Sequence, residues 1–126
     1  SAITNYVNDL NTYSTTETVI GTWVNENGSK QPLYRKVING KTPSIEETWG
    51  SIGEAPSDIS VKNMNGMLGG YLTVPSYINS NYYVALQKVG NIIQAYVKGY
   101  TNNSISITLI YTKTADITTQ TVSEEV

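Results

Sequence analysis

Glu46 and Glu47 form the one adjacent acidic pair in the interior of this sequence, and Glu54 and Asp58 follow shortly after. Two carboxyl groups about 5–10 Å apart, one with a raised pKa, are the machinery of glycoside hydrolysis. Nothing in the spacing of these residues sets such a distance, and neighbouring carboxylates on a loop are usually solvated. No catalytic residue is therefore assigned, and the chain reads as a non-enzyme. The same carboxylates lack the spaced Asp/Asn pattern of a calcium loop, so no metal and no cofactor is expected. The sequence has no His and no Cys. The commonest general base and zinc ligand are missing, a Ser-His-Asp triad cannot be built, and neither a thiolate nucleophile nor a disulfide is available.

Recognition chemistry is better represented. Trp49 sits in the irregular segment Thr48-Trp49-Gly50-Ser51, where an indole can offer its face to the C–H surface of a sugar while Asn and Ser supply hydrogen bonds. Equally, it can plug the end of a sandwich. Tyr77, Asn79, Asn81, Tyr82 and Tyr83 make an aromatic-amide cluster at a strand entrance, and Tyr100, Asn102 and Asn103 make another in a turn. Turn formation alone also accounts for most of these Asn residues. The candidate ligand-binding set is Trp49, Tyr77, Asn79, Tyr82, Tyr100, Asn102 and Asn103. Adjacent Tyr82 and Tyr83 must face opposite ways on a strand, one into the core and one out. Trp23, Tyr34 and Tyr111 read as structural, with Gly21 giving the Trp23 indole room and Val19 sharing its face.

These residues need a scaffold, and the composition points to strands. Of 126 residues, 10 are Tyr and only 14 % are charged, with Thr, Asn and Ser supplying the remaining polarity. Thr, Tyr, Val and Ile favour strands, while Asn, Gly and Ser favour turns. Residues 18–25 and 32–38 read as a strand pair around the Asn27-Gly28 turn, with Asn39-Gly40 ending the second strand. Residues 41–56 read as loop, 58–62 as a short strand, Asn65-Gly66 as a turn, and 71–74 as a strand after Gly69-Gly70. Residues 82–89 and 92–98 form a hairpin about Gly90-Asn91, and 99–103 a turn. Residues 105–113 alternate, with Ile105, Ile107, Leu109 and Tyr111 on one face. The Gly90-Asn91 turn and the 99–103 turn close opposite ends of strand 92–98, and the second carries the aromatic and amide groups.

The expectation is an all-β, antiparallel β-sandwich (jelly-roll-like) head domain over residues 18–116. Residues 1–17 lead into it. There Ile3, Tyr6, Val7 and Leu10 make one helical stripe, either a frayed linker or a short helix from an upstream shaft. Residues 117–126 form a loose tail. The net charge of −2 argues against nucleic acid as a partner. No apolar run is long enough for a membrane span, so no membrane insertion is expected. The chain begins at Ser1 without Met and reads as part of something longer.

Two segments carry a resemblance. Residues 13–24 (YSTTETVIGTWV), followed by Gln31-Pro32-Leu33-Tyr34-Arg35-Lys36, are similar to the "YSTEEQVVGTWIDGKPLYRKT" opening of C-terminal domains in tail-fibre and minor structural proteins of phages from Gram-positive bacteria. Residues 109–116 (LIYTKTAD) resemble the "YTKTTD" strand that closes those domains. Together they frame residues 13–116. The turn between 24 and 32 is longer than the family's, and residues 40–80 follow it loosely. The resemblance implies a head at the tip of a tail fibre in a virion, forming a homotrimer with other fibre chains. It implies binding to a host cell-surface glycan or surface protein, with a carbohydrate preferred here because of the Tyr- and Asn-rich loops. The alternative is a structural trimerisation or capping knob with no ligand site of its own.

Overall fold

The computed structural model describes residues 13–117. They form nine strands: β1 (Thr18–Val24), β2 (Lys30–Lys41), β3 (Gly50–Glu54), β4 (Ile59–Leu68), β5 (Leu72–Val74), β6 (Ser76–Asn79), β7 (Tyr82–Val89), β8 (Ile92–Lys98) and β9 (Ser104–Lys113). One sheet has five strands in the order β1-β2-β9-β4-β5, the other four in the order β3-β8-β7-β6. The expected all-β antiparallel sandwich is the fold. The stripe Ile3, Tyr6, Val7 and Leu10 and the tail from residue 118 lie outside the described residues.

The chain divides into two compact units, and β2, β4 and β9 contribute residues to both. One unit comprises residues 38–57 and 64–108. Its core faces Ile38, Leu68, Val74, Ile105 and Ile107 of the five-stranded sheet toward Ile52, Val84, Ile93, Ala95 and Val97 of the four-stranded one, all buried. Each is an inward position of an alternating strand, and fully burying such a side chain is worth about 1.5–3 kcal/mol for Val, Leu or Ile. In the other unit, Leu109 and Tyr111 are buried, and the Tyr111 ring stacks on Tyr34 with centroids 5.8 Å apart. Buried Gln31 is satisfied there, accepting from Asn25 Nδ2 at 3.0 Å and donating to the Lys113 carbonyl at 3.0 Å.

Residues 13–17 are tied into that second unit. Val37 N–H donates to the Ser14 carbonyl at 2.9 Å, and the Arg35 guanidinium lies 3.9 Å from the Tyr13 ring centroid. The Glu17 carboxylate accepts from both the Tyr111 hydroxyl and the Lys113 ammonium. In the same unit, residues 115–117 make a helical turn, and Asp116 accepts from the Tyr34 hydroxyl at 2.9 Å.

Several local expectations are corrected. Asn65-Gly66 is no turn but lies inside β4, and Asn39-Gly40 lies inside β2 rather than ending it. Glycine serves close approach at both places. A Cβ on Gly66 would collide with the Ser106 carbonyl oxygen, and one on Gly40 with the Ile52 carbonyl oxygen. The stretch expected to be loop from 41 to 56 contains β3, whose sequence GSIGE offers one apolar residue, Ile52, and hence no readable alternation. β6 was hidden because its two apolar residues, Tyr77 and Ile78, are adjacent and make no alternation. Gly21 does not make room for Trp23, because a Cβ there would meet nothing within 4 Å. A register shift between Val19 and Gly21 also breaks the face that Val19 was expected to share with Trp23.

Candidate functional site

The solvent face of the four-stranded sheet follows from its registers. Val84, Ile93, Ala95 and Val97 point inward, so by alternation Tyr83, Ala85 and Gln87 of β7 and Gln94, Tyr96 and Lys98 of β8 point out. Tyr77 of β6 pairs directly with Tyr83, and Tyr83 is diagonal to Tyr96 because it pairs with Lys98 while Tyr96 pairs with Ala85. Trp49 enters from the residue before β3, whose Gly50 pairs with Ala95.

The result is a row of four aromatic rings across the whole sheet. Trp49 and Tyr96 have centroids 5.3 Å apart, Tyr96 and Tyr83 6.1 Å, and Tyr83 and Tyr77 5.8 Å. The three tyrosine rings are nearly parallel, at 9° and 18°. Tyr77 is 73 % exposed and Trp49 39 %. Aromatic pairs at these distances attract each other, yet so many rings on a solvent face leave apolar surface uncovered. Beyond Tyr77 and Tyr83 the row opens into a groove of about 400 Å³, walled by Pro75, Ala85 and Leu86.

Polar groups flank the row. The segment between β2 and β3 is held along β8 by the Glu47 N–H, which donates to the Val97 carbonyl at 2.9 Å, with Glu47 in the left-handed region at φ 58°. This sets the Glu47 and Glu46 carboxylates 3.3 and 3.8 Å from the Lys98 ammonium. Glu46 also accepts from the Gly99 N–H at 2.6 Å. The hydrogen bond to Glu47, with Glu46 beside it, raises the Lys98 pKa and keeps the lysine charged. Burial raises the Tyr83 pKa, with Tyr96 and Glu47 adding to it, so the phenol stays neutral. On the other flank, Gln87 Nε2 donates to Gln94 Oε1 at 2.7 Å, fixing an amide pair on the same face. Of the carboxylates weighed for catalysis, Glu46 and Glu47 are thus engaged by Lys98. Among the described residues no group of acidic side chains is arranged to hold a metal ion.

Of the seven candidate residues, Trp49 and Tyr77 lie in this row. Tyr82 and Tyr100 form a separate T-shaped pair, 5.7 Å between centroids, beside Gly99. Neither Tyr82 nor Tyr83 is in the core, so the expected inward–outward split fails: the strand starts at Tyr82, which is half-exposed and covers Gly99 instead of the interior. The Asn residues act as turn formers. Asn79 Oδ1 accepts from the Asn81 N–H at 2.9 Å. The Asn102 N–H donates to the Pro43 carbonyl at 3.2 Å with φ at 56°, and the Asn103 N–H donates to the Thr42 hydroxyl at 2.9 Å.

Tyr83 and Tyr96 were missed as site residues. A signal existed: with Ile93, Ala95 and Val97 inward, period-two alternation puts Tyr96 outward, where a large aromatic needs a reason.

A second groove, about 540 Å³, lies in the unit that contains β1. Its Trp23 wall has the Lys62 ammonium 4.6 Å from the ring centroid, and Asn25, Asn27 and Ser29 complete much of the lining. Trp23 is half-buried here, not a core residue.

No protein-family model, curated protein or solved structure matches this chain.

Proposed function

We propose that this chain is a non-catalytic binding head that recognises a bacterial cell-surface carbohydrate on the outer face of the four-stranded sheet. The observation that carries the reading is the row Trp49, Tyr96, Tyr83 and Tyr77, exposed at its two ends and half-buried in its middle, and flanked by fixed carboxylates and amides. Sugar rings present C–H faces that stack on aromatic rings and hydroxyls that need hydrogen-bond partners. A rigid aromatic surface with polar groups at its margins meets both needs. Three of the four rings, Tyr77, Tyr83 and Tyr96, sit on strands, so their geometry is set by the sheet.

The resemblance of residues 13–24, 31–36 and 109–116 to tail-fibre heads supplies the setting: a fibre tip, assembled as a homotrimer, meeting a Gram-positive cell surface. Three sites on one fibre raise avidity through effective concentration, so a weak single site is sufficient. Labelled protein incubated with Gram-positive cells is expected to bind, and free wall polysaccharide is expected to compete. Retained binding after the cells' polysaccharide is stripped and their surface proteins are left in place would contradict a carbohydrate receptor. A well-folded sample that binds no strain would favour a fibre knob without a ligand site.

A further inference from the structure

We infer that the ligand of the aromatic row is an uncharged, extended glycan chain bearing acetamido groups, because among the described residues the four strands put no unpaired cation on the row's face and the row ends in an apolar groove. The inference rests on the proposal that the row binds carbohydrate, and it narrows the ligand.

Charge comes first. Strands β3, β6, β7 and β8 carry two lysines, Lys88 and Lys98. Lys88 alternates with Gln87 and so leaves the row's face. Lys98 is on that face, but two carboxylates hold it, Glu47 at 3.3 Å and Glu46 at 3.8 Å. The local sum is one negative charge. A phosphate- or carboxylate-bearing polymer would find no free partner there and would be repelled by the uncompensated carboxylate.

Length comes next. Three successive ring-to-ring steps of 5.3, 6.1 and 5.8 Å run in one direction across the sheet. A row of four rings offers an extended chain more contacts than a disaccharide can make.

The groove supplies the substituent. It opens beside Tyr77 and Tyr83, and Pro75, Ala85 and Leu86 give it apolar walls, with Ser76 and the two tyrosines as its hydroxyl-bearing residues. A bare sugar hydroxyl placed there would lose water without full compensation. An acetamido group fits better: its methyl contacts the apolar walls and its amide lies within the compass of Ser76. Filling an apolar pocket with one such group discriminates by roughly 10–200-fold.

The test titrates the full chain with chitohexaose, chitobiose, cellohexaose and polygalacturonate. Chitohexaose is expected to bind roughly tenfold or more tightly than cellohexaose, and more tightly than chitobiose, while polygalacturonate neither binds nor competes. The variant Ala85→Gln fills the groove from an outward strand position. It is expected to erase the preference for chitohexaose over cellohexaose, read as the ratio of the two affinities, while the protein still unfolds cooperatively. If cellohexaose matches chitohexaose, or polygalacturonate binds, and Tyr83→Ala abolishes that binding, the row remains a carbohydrate site and the inference on its ligand is overturned. If a folded sample binds none of the four, the inference is overturned, and binding to purified wall polysaccharide then decides separately whether the row remains a carbohydrate site.

Discussion

Tyr83 and Tyr96 stand on neighbouring strands with ring centroids 6.1 Å apart and planes 9° from parallel, although their backbones are diagonal and not paired. Each also contacts a further ring, Tyr77 for Tyr83 and Trp49 for Tyr96. These two residues therefore join the row's halves. Replacing either with Ala should weaken carbohydrate binding about tenfold or more, as loss of a central aromatic anchor does. Because both side chains are only half-buried, the stability cost should be about 1 kcal/mol, read as a melting shift of about 5 °C or less. Binding titration and thermal melting of the same samples check both parts.

Acid stability should depend on Glu17. Burial acts to raise the Glu17 pKa, but hydrogen bonds from Lys113 and Tyr111 outweigh it and hold the carboxyl below its ordinary value of 4.5. The folded state therefore binds this proton more weakly than the unfolded state does. The stabilisation is complete above pH 4.5 and is lost as pH falls through the lower folded value. Glu17→Ala should cost about 1.5–3 kcal/mol at neutral pH, and the gap to wild type should narrow in acid. Urea unfolding midpoints measured across that range decide it.

Alkaline stability should carry a contribution of the opposite sign from Tyr34. Burial and the hydrogen bond to Asp116 push its pKa from 10.0 up to about 12. The raised value means stabilisation that is complete below pH 10.0 and is lost as pH rises toward about 12. Tyr34→Phe keeps the stacking on Tyr111 and removes the titration. The variant should be less stable than wild type at neutral pH, with the difference shrinking between those two pH values. Denaturant midpoints over the alkaline range provide the check.

Thr42 is 2 % exposed; its hydroxyl donates to the Tyr100 carbonyl and accepts from the Asn103 N–H at 2.9 Å. The turn that holds Tyr100 in the left-handed region, at φ 44°, is thereby pinned. Thr42→Val preserves shape but strands both partners, so it should cost about 1–3 kcal/mol. Hydrogen exchange at the Asn103 amide should accelerate, and an unchanged exchange rate would contradict this role.

Gly40→Ala and Gly66→Ala should each destabilise the fold by about 1–3 kcal/mol, since each new methyl meets a backbone carbonyl of a neighbouring strand. Gly21→Ala, with open space around it, should be nearly silent. Melting temperatures of the three variants rank the effect.

The alternation of Ile105, Ile107, Leu109 and Tyr111 and the hairpin around Gly90-Asn91 were readable because one face of each strand is buried and the period is two. β3 and β6 were unreadable because they are short and offer little apolar alternation. Asn65-Gly66 misled because the same dipeptide that makes a turn also permits close strand contact, and only the neighbour across the sheet, Ser106, decides between them. At the site, Trp49 and Tyr77 were chosen for their exposed local context. Tyr83 and Tyr96 become partners only through the β7–β8 register, a non-local property. Asn79 spends its side-chain oxygen on a turn, and the backbone N–H groups of Asn102 and Asn103 tie their turn to Pro43 and Thr42.

Titration calorimetry with purified wall polysaccharide, comparing wild type with the double variant Tyr83→Ala/Tyr96→Ala, tests the binding face most directly. The row predicts that the double variant binds about 100-fold more weakly while still unfolding cooperatively. A double variant that stays folded and binds as tightly as wild type would contradict it.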